Sequence, residues 1–259
     1  MSACANPIRA RFTFAIVSTL VAAVCLAGCT KPVKKKTTEE PVVTECVLPD
    51  DQANSLQGRW ARLPIKVSFR AGTFSSAEIQ AVQAAAASWN DFYAQSKNAA
   101  AFDAAGYESN LNQSLPSCGN TLADGTVLYQ RRSNWTKSPS AVAVTTFCFK
   151  NATDGGLSTI VNSIMEFNYQ NFFVPRSGLL PDLESIALHE LGHLLGLDHS
   201  CGALRTGLSN VACPDHNTDP NHFLVATVLF PSVLFDSTGA GEIKRSLTEN
   251  DQGRANCLY

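Results

Sequence analysis

Residues 189–200 read His-Glu-Leu-Gly-His-Leu-Leu-Gly-Leu-Asp-His-Ser. Two histidines four residues apart on a helix project from the same face about one turn apart, close enough to hold one metal ion. Gly196 follows His193 by three residues. A glycine there can take the left-handed backbone that ends a helix and swings the chain back, so that His199 reaches the same ion. Three neutral imidazoles suit zinc, and three protein ligands leave a fourth position for water, which distinguishes a catalytic site from a closed structural one. Glu190 stands beside that open position. A carboxylate there can take the proton of zinc-bound water as the water attacks a carbonyl. A bare H-E-x-x-H also arises by chance, as two solvated or core histidines, but the third histidine and the two glycines argue against that reading.

The whole string resembles the zinc site of the metzincin metallopeptidases, and His199-Ser200 resembles that of their matrixin branch. The resemblance implies that His189, His193 and His199 are ligands of one catalytic Zn2+ and that Glu190 is the general base. It also implies an α+β fold: a twisted mixed sheet with a backing helix, an active-site helix beneath the cleft and a small C-terminal subdomain. Ile164–Asn168 resembles the edge strand above a metzincin cleft, where an extended peptide binds by adding a strand. An ordinary sheet edge reads the same way. Thr227-Val228-Leu229-Phe230-Pro231 aligns with the matrixin Met-turn, with Leu229 at the methionine position; Met1 and Met165 both precede the zinc helix and cannot replace it. Methionine to leucine nearly conserves volume. By this alignment Leu229, Pro231 and Val233 would wall the substrate pocket. Leu247-Thr248-Glu249-Asn250-Asp251 followed by Leu258-Tyr259 resembles the matrixin C-terminal helix. Calcium occurs in the family, but no loop here has the regular acidic spacing that identifies it.

The elements that must position the site can be read from pattern. A helix is expected after Pro181, capped by Asp182 with Glu184 in its first turn. Ile186, Ala187, Leu188, Leu191, Leu194 and Leu195 make it apolar nearly all round, as in a buried helix. Ser75 and Glu78 form a capping box for a second helix, whose Ile79, Val82, Ala86, Trp89 and Tyr93 recur along one face as core. Alternation predicts strands at 60–70, 126–131, 141–149 and 158–169, whereas 97–124 reads as mostly loop and 151–156 as a turn. After His199 the chain makes an excursion, Cys201–His222, in which His216 and His222 lie beside Asp215 and Asp219. A second metal site is one reading of these residues, and solvated loop residues the other.

Composition bounds the setting. The chain has 259 residues, 45% hydrophobic and 16% charged, with a net charge of −2. That is enough for one domain with a sizeable core, and no basic excess suggests nucleic acid. Arg9 and Arg11, the apolar run Phe12–Leu26 and the small residues after it form an export signal. Leu26-Ala27-Gly28-Cys29 resembles a bacterial lipobox, which implies lipid on Cys29, and Thr30 in place of Asp implies the outer membrane of the cell envelope. The expected organisation is a signal peptide at 1–28, a flexible tether at 29–56 and a catalytic domain at 57–259. Of nine cysteines, Cys4 and Cys25 leave with the signal and Cys29 carries lipid, so six remain. Six cysteines allow fifteen connectivities; the set favoured here is Cys201 with Cys213, Cys118 with Cys148, and Cys46 with Cys257. Cys46-Val47-Leu48-Pro49-Asp50 faintly resembles a matrixin cysteine switch, but lacks its flanking Arg and Gly.

The expected function is zinc-dependent hydrolysis of internal peptide bonds by a lipid-anchored monomer acting on polypeptides. Two alternatives stand beside it: a zinc-binding envelope lipoprotein that has lost hydrolysis, and a hydrolase of another envelope polymer such as a peptidoglycan amidase.

Overall fold

In the chain, β1 (Arg59–Trp60) and β2 (Ile65–Arg70) precede the long helix α1 (Ser76–Lys97), followed by β3 (Phe102–Ser109), β4 (Gly125–Gln130), β5 (Ala143–Lys150) and β6 (Thr159–Phe167). The zinc-motif helix α2 (Leu183–Leu195), the short α3 (Phe223–Ala226) and the closing helix α4 (Glu249–Ala255) complete the order. The computed structural model describes residues 41–110, 125–150, 152, 156–202 and 210–259. The signal at 1–28, Cys29, the first part of the tether and Cys118 lie outside them. Among the described residues no helix is long and apolar enough to cross a membrane.

The strands form a mixed sheet ordered β1-β6-β4-β2-β3, with β5 added antiparallel to β6. The other pairings are parallel. Parallel neighbours need a crossover, and α1 supplies it between β2 and β3. Helix α1 begins at the expected box, in which the Ser75 side chain accepts from the Glu78 amide and Glu78 accepts from the Ser75 amide. Its buried Val82, Trp89 and Tyr93 meet Ile65, Val67 and Phe69 of β2 and Leu188, Leu191 and Leu194 of α2 in one core. Trp89 Nε1 donates to the Leu188 carbonyl at 3.0 Å and Tyr93 Oη to the Ala255 carbonyl at 3.0 Å, so α1 is tied to α2 and α4 by its aromatic residues.

Four expectations change. Residues 60–70 form two strands, because Pro64 has no N–H to give a continuous ladder. Part of 97–124 is strand β3, whose intermediate and exposed residues carry little alternation. Of Ile164–Asn168, the first four residues lie in β6, which is interior, flanked by β5 along its length and by β4 over its second half; the antiparallel edge is β5. Residues 41–56 are built into the domain rather than left as tether. Val47 N donates to the Gly253 carbonyl, Asn256 Nδ2 donates to the Val43 carbonyl, and Cys46 is disulfide-bonded to Cys257. That bond also removes Cys46 as a switch. Cys201 pairs with Cys213 as expected. Cys148 is disulfide-bonded as well; its expected partner Cys118 is outside the described residues.

Candidate metal centre

Helix α2 starts at Asp182, whose carboxylate accepts from the Ser185 amide at 3.0 Å and hydroxyl at 2.6 Å. Arg245 grips the same carboxylate through Nε at 2.9 Å and Nη2 at 2.5 Å. Burial alone would raise the Asp182 pKa, but the bonds from Arg245 and Ser185 outweigh it and hold the group below the usual carboxylate range. The charge therefore persists at neutral pH at the helix end that favours an anion. The helix ends at Gly196, with φ of 118°, and the chain turns back there.

The turn brings three imidazoles together. Ring centroids are 4.6 Å apart for His189 and His193, 4.8 Å for His193 and His199, and 5.4 Å for His189 and His199. One ligand atom from each lies within 4.8 Å of the others, and the described residues contain no other such group of His, Cys, Asp or Glu. His189 Nδ1 is 2.7 Å from the Val228 carbonyl and His193 Nδ1 is 2.8 Å from the Leu197 carbonyl. A carbonyl oxygen only accepts, so each Nδ1 carries the hydrogen and each Nε2 keeps its lone pair toward the cluster. Burial, with the nearby His199 and Lys244 opposing Glu190, also holds His189 below the usual histidine range. Imidazole nitrogens gathered this closely suit a borderline-soft cation such as zinc.

Helix α4 braces the two loops that carry this arrangement. Asp251 accepts from the amides of Val228 at 3.0 Å and Leu229 at 3.3 Å, in addition to closing the expected cap with Thr248. Arg254, fully buried, donates through Nη1 to the Asp198 carbonyl at 3.0 Å, and Asp198 in turn accepts from the His199 amide at 2.8 Å. Asp251 was legible only as a capping residue, and nothing in the pattern marked Arg254.

The imidazoles open onto a cleft of about 1070 Å³, bounded by Val142 and the first residues of the β5 edge, Ala143–Thr145, by His189 and Glu190 of α2, and by Phe230, Pro231 and Val233 across from them. Leu229 is fully buried, packed against Gly192 beneath the helix instead of walling the cleft. A Cβ on Gly192 would lie 2.8 Å from Leu229 Cδ2 and 3.1 Å from Trp89, so this glycine is what allows the close approach. His216 reaches the cleft wall, edge-on to Phe230 with centroids 6.1 Å apart. His222 caps α3, its Nδ1 accepting from the Leu224 amide at 3.2 Å. Neither residue belongs to a second metal cluster among the described residues. Glu190 is buried and lies on the cleft wall beside the three rings.

A family model described as Matrixin matches residues 60–204, more than half of the 259-residue chain. No curated protein matches it.

Proposed function

Because this chain belongs to the matrixin family, we propose that His189, His193 and His199 hold its catalytic zinc and that Glu190 is the general base for cleavage of internal peptide bonds. The protein is a zinc metalloendopeptidase whose substrates are polypeptides; the residue roles are what this reading adds. The observation that carries it is the convergence of three ring nitrogens within 4.8 Å beside a buried carboxylate on the wall of a deep cleft.

Zinc at this site supplies Lewis acidity to the scissile carbonyl and makes water a better acid. Glu190 takes one proton from the attacking water at a carboxylate oxygen, while the remaining hydroxide adds to the carbonyl carbon. The same proton then passes to the leaving nitrogen as the C–N bond breaks. Water is thus divided between the new carboxyl and amine. The β5 edge offers backbone groups along which an extended peptide adds as a strand, and Pro231 and Val233 give the facing wall an apolar character. Mass-spectrometric mapping of a mixed peptide library exposed to the zinc-loaded protein should find internal cleavages that a chelator abolishes and added zinc restores. Absence of cleavage throughout a diverse library, with zinc bound, would sink the reading.

We also infer that Cys29 is lipidated and that the domain is held at the outer membrane of the cell envelope. The support is the basic start, the apolar run to Leu26 and the Leu26-Ala27-Gly28-Cys29 string, together with disulfides that suit an oxidising compartment. Cys29→Ser should move the protein from the membrane fraction to the soluble one or stop its processing. A variant still fully processed and membrane-bound would refute the anchor.

A further inference from the structure

Thr145 sits on β5, opposite Met165 of β6, and is only 1% exposed. Its Oγ1 lies 2.6 Å from Glu190 Oε2 and 3.4 Å from the Glu190 carbonyl. A threonine hydroxyl has one proton to give, and the shorter contact assigns it to the carboxylate. Glu190 is itself only 4% exposed, so the pair meets away from bulk water, where a hydrogen bond to an anion is short and strong. The bond joins the edge strand of the sheet to the middle of the zinc-motif helix. Side chains alternate along a strand, so Thr145 shares its face with Ala143 and Phe147, which pack against the core.

A base that must collect a proton and then return it to a different atom works best when its carboxylate is held in one orientation. Glutamate has three side-chain torsions, and buried aliphatic packing fixes only the stem. We propose that Thr145 is a positioning residue for Glu190: its hydroxyl donates to Oε2 and fixes the plane of the carboxylate that takes and returns the proton. This rests on Glu190 being the base. A threonine in a β-strand is ordinary by propensity, and a hydroxyl that merely satisfies itself would not care which residue accepts from it.

The test uses the mature, zinc-loaded protein and a peptide that the wild type cleaves, with zinc content and melting temperature measured on every sample. Thr145→Val keeps the shape and removes the hydroxyl. It should lower kcat about ten- to hundredfold, the range typical of residues that orient a metal-site group, with KM changed less than twofold. Thr145→Ser should recover most of the rate. In a Glu190→Ala background, where no carboxylate remains to orient, Thr145→Val should cause no further loss. A wild-type kcat in Thr145→Val, a loss that falls on KM, or an equal loss in the Glu190→Ala background would each overturn the proposal. If Thr145→Val does not fold, Thr145→Ser against Thr145→Ala gives the same contrast, since that pair differs only in the hydroxyl. A wild type that binds zinc but cleaves nothing would defeat the reading of Glu190 itself, and this proposal with it, whereas an active wild type with an indifferent Thr145 defeats the proposal alone.

Discussion

Replacing Glu190 with alanine should leave zinc content, fold and peptide binding close to wild type while cleavage falls to a trace. The side chain is read as a base and not a ligand, and the metal cluster consists of the three imidazoles without it. General acid–base assistance is worth about a hundredfold to ten-thousandfold, or roughly 3–5 kcal/mol of barrier. Zinc must be measured on the assayed sample, because metal loss would imitate the effect. A zinc-loaded variant that cleaves at a rate similar to wild type would show the mechanism to be wrong. If neither protein cleaves any peptide while both bind one envelope partner, the three histidines become structural ligands of a binding module.

Gly196→Ala should damage the molecule more broadly. An added Cβ would lie 1.9 Å from the Gly58 carbonyl oxygen, at a backbone φ of 118° that L side chains rarely adopt. The clash is with backbone and not with the movable end of a side chain, so backbone must shift. Left-handed strain and overpacking each cost about 1–3 kcal/mol, so roughly 2–6 kcal/mol in all against a typical total of about 5–15. The same shift displaces the turn that carries His199, and zinc should be held less tightly. Urea denaturation and elemental analysis would check both; a midpoint and zinc content equal to wild type would mean the turn has slack that its geometry denies.

Features encoded within a few residues were legible. The box at Ser75 and Glu78, the cap at Asp182, the helix-ending Gly196 and the cap at Thr248 depend on side chains bonding their own neighbourhood, and each appears where pattern puts it. What escaped depends on pairing across the chain. Both Ala143–Lys150 and Thr159–Phe167 read as strands, but which lies outermost is decided by β4, which joins one and not the other. Phe102–Ser109 looked like loop because its half-exposed face needs no run of apolar residues. Residues 41–56 looked like tether because they have little to bury, and they are held instead by backbone hydrogen bonds and a covalent link. Thr145 was invisible for a related reason: its partner is 45 residues away and nothing about a strand threonine announces it.

The Cys46–Cys257 bond spans 211 residues, which encloses nearly the whole described domain in one covalent loop. On chain-entropy grounds, a loop of that length removes disorder from the unfolded chain worth about 5 kcal/mol. It also changes what a backbone cut means for a protein that is itself a peptidase. A single backbone cut in the excursion after His199, or in any other loop between the two cysteines, opens a ring and releases no fragment. Both sides of the cut stay tied at Cys257, two residues beyond α4, the helix that braces the histidine-bearing turn, so a nicked molecule retains the means to hold its own site together.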